Sequence, residues 1–140
     1  MPKTHTFHKS ERLCSVIAIE RLFNRESQSF SAFPIRVVYR LEEKGENEPS
    51  DVKVLISVSK KHFHHAVDRN RVKRQIREAY RVRKSVLHQA LANQHTTLLL
   101  AFIWQDGKHW ESNDVNSRVE KLLNRLAEKI SHERSVPNAE

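Results

Sequence analysis

Between Asp68 and Lys84 the chain sets eight Lys or Arg against two acids, a local net charge of +6. Cations at that density repel one another unless a polyanion neutralises them, so the chemistry they suggest is phosphate binding. Arg69, Asn70, Arg71, Lys73, Arg74, Arg77 and Arg81 are interleaved with Val72, Ile76 and Ala79. At ~100° per residue the three apolar positions fall within about 60° of one another, while Asn70, Arg74, Arg77 and Arg81 lie opposite, with Arg71 at their edge. Such a helix docks one face on a core and turns the other to phosphates. A merely solvated helix would mix its signs to support pairs four residues apart. This one is nearly all positive.

Other reactive residue types are less well arranged. His62, His64 and His65 are close in sequence, but adjacent His rarely converge on one ion, and no Cys or carboxylate pair completes a tetrahedral set. They are read as pH-dependent positive charge beside the basic helix, and no metal site is expected. A protein-only nuclease would need clustered carboxylates holding metal, or an acid/base pair with a nucleophile. Here Glu42, Glu43, Glu46, Glu48 and Asp51 crowd one segment, and Asp68 and Glu78 sit among arginines. Asp68 is expected to cap the helix or orient neighbouring arginines. With no Gly-rich phosphate loop, HExxH or GxSxG, the chain is expected to supply no catalytic side chain.

The 140 residues suit one compact domain with a modest core. A net charge of +8 before counting nine His, and a pI near 9.9, call for an acidic partner. The single Cys14 excludes an intrachain disulfide and a Cys-based zinc finger, and fits a reducing cytoplasm. Met1 to Lys9 is polar and basic, unlike a secretory leader. The longest apolar run, Leu98 to Trp104, is too short to span a bilayer. A cytoplasmic protein with no membrane partner is expected.

These residues need a scaffold. Residues 1–14 read as a basic arm, in which Phe7, His8, Lys9 and Arg12 could add contacts to a nucleic acid. Ser15 is placed to cap a helix through about Arg25, with Val16, Ile19, Leu22 and Phe23 at helical spacing. Phe30 to Leu41 reads as strand interrupted near Pro34, and Glu42 to Ser50 as a loop. Val52 to Val58 alternates, with Val52, Val54 and Ile56 on one face and Lys53, Leu55 and Ser57 on the other. The basic helix is expected from about His65 to Leu91, a turn over Asn93 to His95, and a buried strand from Thr96 to Trp104. Trp104 and Trp110 flank the next loop and are expected to pack. A final amphipathic helix carries Val115, Val119, Leu122, Leu123, Leu126 and Ile130, capped by Ser112 or Asn113. Residues 15–130 thus form the domain and 131–140 a frayed tail. The order is α-β-β-α-β-α, an α+β class.

The ordered composite of Ser57-Val58-Ser59-Lys60-Lys61, then Ala66 to Arg74, then Arg77-Glu78-Ala79-Tyr80-Arg81 resembles the signature of the bacterial ribonuclease P protein subunit. The resemblance implies an α+β single domain, α-β-β-β-α-β-α around a four-stranded sheet, as in the second domain of a small-subunit ribosomal protein. It also implies a left-handed crossover at the basic helix, where sequence pattern alone favours a right-handed one. The additional strand could be the part of Phe30 to Leu41 before Pro34.

Functionally, the resemblance implies a ribonucleoprotein endoribonuclease that removes the 5′ leader of precursor tRNA. Its chemistry belongs to a catalytic RNA subunit using Mg²⁺, so the chain alone binds no cofactor and no protein partner is implied. Carried over by position, Arg69, Asn70, Arg71, Lys73, Arg74, Arg77 and Arg81 face that RNA, with Ser59, Lys60 and Lys61 nearby. Asn70 could instead brace its own helix. Phe23, Tyr39 and Lys53 match positions lining a cleft for the leader, between the first helix and the sheet. Phe23 equally fits its helix's apolar stripe, and Ile19 stands where the family often has another aromatic. Two other readings stay open: a ribosomal-type RNA-binding protein, and a protein-only hydrolase with a basic groove.

Overall fold

The computed structural model describes residues 12, 16–23, 27–92 and 94–135. The elements in chain order are α1 (Val16–Leu22), β1 (Gln28–Ala32), β2 (Ile35–Glu43), β3 (Asp51–Ser57), α2 (Ala66–Arg83), α3 (Ser85–Ala90), β4 (Thr96–Trp104) and α4 (Ser112–Ser135). The sheet order is β1-β2-β4-β3, antiparallel except where β3 runs parallel to β4. That parallel pair needs a crossover, and α2 with α3 provides it.

β4 is apolar along its length because it is central and covered on both faces. Leu98, Leu100, Phe102 and Trp104 join the main core with α2, α3 and α4, while Leu99 and Ala101 meet Ala18 and Leu22 of α1. The interrupted strand resolves into the β1–β2 hairpin. Its two-residue turn is Phe33–Pro34, joined by a cis peptide, and Ala32 pairs with Ile35. β1 is the additional strand that the resemblance implied, giving the α-β-β-β-α-β-α order with α3 as a short extra helix.

The alternation of β3 is as expected. Val52 and Val54 are buried in the main core with Ile56 packed against it, and Leu55 packs with the smaller cluster under α1. Val115, Val119, Leu122, Leu123, Leu126 and Ile130 are all buried, so α4 turns its apolar stripe inward as its periodicity required. α4 packs against α2 and α3, and touches β1 and β2.

Three expectations change. The basic helix does not run unbroken to Leu91. It ends at Arg83, and a separate helix starts at Ser85. Lys84 between them is 4% exposed, and its carbonyl accepts from the Leu87 and His88 amides at 3.0 and 3.2 Å. No Gly or Pro marks this break, and Leu87 and Leu91 stay in phase with Val72 and Ile76. Next, α4 continues through Ser135, past the expected start of the tail at residue 131. Its cap also differs: the Glu111 carbonyl accepts from the Asp114 and Val115 amides, while Ser112 Oγ accepts from Gln75 Nε2 at 3.1 Å. The Ser15 cap, Arg25, Cys14 and most of the basic arm lie outside the described residues. Arg12 alone of that arm is placed, forming a parallel bridge with Val54.

Candidate nucleic-acid interface

α2 is oriented as its sequence required. Val72, Ile76, Ala79 and Tyr80 are buried, whereas Asn70, Arg71 and Arg74 are exposed. Tyr80 meets Phe102 edge to face, with ring centroids 6.0 Å apart, which fixes the helix on the centre of the sheet. Asn70, Arg71, Lys73, Arg74 and Arg77 make no hydrogen bond or ion pair with other described residues. Asn70 therefore does not brace its own helix. Four cations on one face, without internal partners, form a surface that a polyanion stabilises.

The remaining cations of this segment are engaged within the protein. Arg81 pairs with Glu78 at 2.9 Å, and Arg83 Nη1 donates to Asn116 Oδ1 at 2.7 Å. Arg69 Nη1 donates to the carbonyls of Phe63 and His64, both at 2.9 Å. Arg69 thus acts as a clamp on the loop 58–65, which presents exposed Ser59, Lys60 and Lys61 beside the start of α2. His62 and Phe63 amides close a turn on the Ser59 carbonyl at 3.2 and 3.3 Å.

A second tie, which the sequence did not signal, holds the same loop. The His109 ring stacks on Phe63 with centroids 4.6 Å apart, and its Nε2 lies 3.0 Å from Asp68 Oδ1. Asp68 therefore contacts the loop before α4 and neither caps α2 nor orients an arginine; His65 occupies the cap position with no side-chain bond. Because hydrogen bonds to charged groups contribute about 1.5–3 kcal/mol, Arg69→Ala should lower stability by at least about 1.5–3 kcal/mol in urea unfolding. Amide exchange at His62 and Phe63 should rise, and because both bonds leave from the single nitrogen Nη1, Arg69→Lys, with three donors on its ammonium, should restore part of the loss.

The opposite face of the sheet carries α1. Arg21 Nε and Nη2 donate to Glu42 Oε2 and Oε1 at 2.6 and 3.0 Å, tying one flank of α1 to β2. That hydrogen bond, then the carboxylate's charge, raises the Arg21 pKa further. Ala18 and Leu22 point to the sheet, and Ile19 lies on the other flank, in the cluster that includes Leu55. Phe23 follows Ile19 by four residues on that flank and is 48% exposed, so it is not a core residue. Lys53 also stands on this sheet face, in one row with Leu99 and Arg40, with Nζ 3.8 Å from Asp51.

Tyr39 does not join them. It lies on the far side of the sheet, 1% exposed, with its ring edge-on to Phe30 and its hydroxyl donating to Gln28 Oε1 at 2.9 Å. The strand turns Val38 and Arg40 toward α1, and Val37 and Tyr39 toward the main core. The expectation that Tyr39 projects into the leader cleft is corrected: it is a core residue.

Trp104 is buried, and Trp110 meets it edge-on while donating to Asp106 Oδ2 at 2.8 Å; both pack, as expected. Among the described residues no three His, Cys, Asp or Glu stand together in a way that could hold a metal ion. No described helix is long and apolar enough to cross a membrane.

A four-stranded mixed sheet carrying a helix whose outer face presents Arg71, Lys73, Arg74 and Arg77 defines an α+β domain with a cationic surface. The family model for ribonuclease P matches residues 7–127. A ribonuclease P protein component of Porphyromonas gingivalis is 38% identical over 126 residues, spanning 90% of both chains. One from Chlorobaculum tepidum is 35% identical over 109 residues, covering 74% of this chain and 70% of the relative. In fold, the chain is similar to the RNase P protein of Thermotoga maritima, with a TM-score of 0.61 at 23% identity, covering 82% of this chain and 96% of that one. The Staphylococcus aureus protein gives a TM-score of 0.60 at 24% identity, covering 84% and 96%.

The chain belongs to the ribonuclease P protein family. It is therefore the protein component of a tRNA-processing endoribonuclease that matures 5′ ends, whose catalysis resides in its RNA, and it associates with that RNA.

Proposed function

We propose that the α2 face binds the catalytic RNA and that the Phe23 flank of α1, with the sheet surface beside it, holds the single-stranded 5′ leader of precursor tRNA. The observation that carries this reading is the set Asn70, Arg71, Lys73, Arg74 and Arg77, left without side-chain partners among the described residues on a helix whose other face is buried. Arg forks suit bidentate phosphate contacts, and Lys60, Lys61 and Lys73 add point charges. Ser59 extends the same surface, while Arg69 and Arg81 support it from within. Phe23 offers a π face on which any base stacks, and Lys53 a charge for the backbone. Mature tRNA lacks the leader, so these contacts favour substrate over product by differential binding. The holoenzyme uses Mg²⁺ held by RNA, and the protein's charge lowers the concentration it needs. The setting is cytoplasmic.

The test is cleavage of precursor tRNA by the chain alone, by the catalytic RNA alone and by both at low Mg²⁺. Strong activity is expected only from the pair; cleavage by the chain alone would return the protein-only hydrolase reading. Phe23→Ala in the holoenzyme should weaken precursor binding by about 1–3 kcal/mol, roughly five- to 150-fold, and leave mature tRNA unchanged. Equal weakening of both would remove the leader from this flank.

A further inference from the structure

Lys60 and Lys61 are exposed on a loop with no helix or strand of its own to aim them, and neither bonds another described residue. Val58 and Phe63 anchor the two ends of that stretch in the core. The turn on the Ser59 carbonyl and the Arg69 clamp are local ties, made within the loop and from the first turns of α2. One side chain reaches it from far along the sequence. His109, in the loop 105–111, lays its ring on Phe63 with centroids 4.6 Å apart and planes 20° from parallel. Its Nε2 lies 3.0 Å from Asp68 Oδ1, and because a carboxylate only accepts, Nε2 carries the proton.

The loop 105–111 is itself fixed to the core. Trp110 meets buried Trp104 edge-on at 6.3 Å, and its indole donates to Asp106 Oδ2 at 2.8 Å. Its carbonyl accepts from Gln75 Nε2 of α2 at 2.9 Å. Gly107 passes so near the other loop that a Cβ there would stand 3.6 Å from the His62 carbonyl oxygen. A firm path therefore runs from Trp104 through Trp110 to His109, and from His109 to both Phe63 and Asp68. The His109–Asp68 pair is partly exposed, at 28% and 39%, so its contribution to overall stability is small. Its effect falls on where the loop sits. A loop that orders only on binding subtracts that cost from affinity, whereas one held in place beforehand does not.

We infer that His109 is a positioning residue for RNA binding: by bracing Phe63 and Asp68 it holds Lys60 and Lys61 at a set place beside Arg71 and Arg74. It touches no RNA itself and acts through the two lysines. The inference rests on the reading of the α2 face and its adjoining loop as the contact with the catalytic RNA.

The experiment measures affinity of the full chain for the catalytic RNA at several salt concentrations, below the melting temperature of every variant. Removing both lysines, Lys60→Ala with Lys61→Ala, should cost roughly tenfold or more at low salt. The slope of log K against log salt should shrink by roughly 1.4–1.8. His109→Ala should reproduce much of both effects with the lysines still present. In the His109→Ala background, removing the lysines should then cost less than about twofold more, because their contribution is already lost. His109→Phe keeps the stack and His109→Gln keeps a donor, so each should restore part of the affinity and slope. Should His109→Ala fail to fold, His109→Phe carries the same comparison at reduced size. If the lysines cost as much in the His109 variants as in the unsubstituted protein, and the slope stays full, His109 is merely structural and the inference is wrong. If removing the lysines changes nothing while Arg71→Ala with Arg74→Ala weakens binding, the inference falls and the α2 reading stands. If neither pair matters, both fall.

Discussion

Ile76→Asp should abolish cooperative unfolding of this domain. Ile76 is fully buried in the main core with Val72, Ala79 and Tyr80. An unpaired charge there costs several kcal/mol, against a total stability of about 5–15 kcal/mol for a domain. The variant should show no unfolding baseline in urea, and RNA binding should vanish with the fold. Ile76→Val supplies the control, since deleting one methyl costs about 0.5–1.5 kcal/mol and should leave a sharp transition with wild-type RNA affinity. A well-folded Ile76→Asp protein would mean that α2 is turned the other way, with its arginines inward.

Why that face could be assigned from sequence, and others could not, follows from how each element is covered. α2 and α4 each have one wet and one dry side, so their apolar stripes were legible residue by residue. β3 alternates for the same reason, which put Lys53 on the α1 face. β2 is different. Val37, Val38 and Tyr39 are all buried, because α4 covers one side and α1 the other. With both faces dry there is no alternation to set the phase, and a one-residue error moves a side chain to the opposite surface. The β2 pattern therefore offered no check on the position match that put Tyr39 in the cleft.

The site divides along a similar line. Composition made the cationic helix visible, but a charge count does not distinguish an open arginine from one with a partner. Arg71 and Arg74 on one side, and Arg69 and Arg81 on the other, differ only in what the fold places beside them. The break at Lys84 carried no signal either, because the apolar period continues in phase through it. His109 reaches Asp68 and Phe63 across 41 and 46 residues of chain, a contact that only tertiary structure creates. Phe23 was ambiguous by pattern, and its 48% exposure takes it out of the core.

Replacing Arg71 and Arg74 together with Ala should then cause the largest loss of RNA affinity available without harming the fold. Both are exposed, both lie away from the buried face, and neither bonds another described residue. Hydrogen bonds to charged groups contribute about 1.5–3 kcal/mol each. The lower end suits an exposed surface, so two arginines amount to ~3 kcal/mol, roughly 100-fold at low salt. The salt dependence should flatten as well, because each phosphate contact contributes about 0.7–0.9 to the slope of log K against log salt. Two lost contacts predict a slope smaller by roughly 1.4–1.8. Thermal unfolding should be unchanged or slightly improved, since two mutually repelling charges are gone. Arg81→Ala should lose much less affinity, because its guanidinium is already matched to Glu78 at 2.9 Å. Binding isotherms of the folded protein to the catalytic RNA at several salt concentrations decide the matter. If the double variant keeps both affinity and slope, the RNA is held elsewhere and α2 is a solvated face.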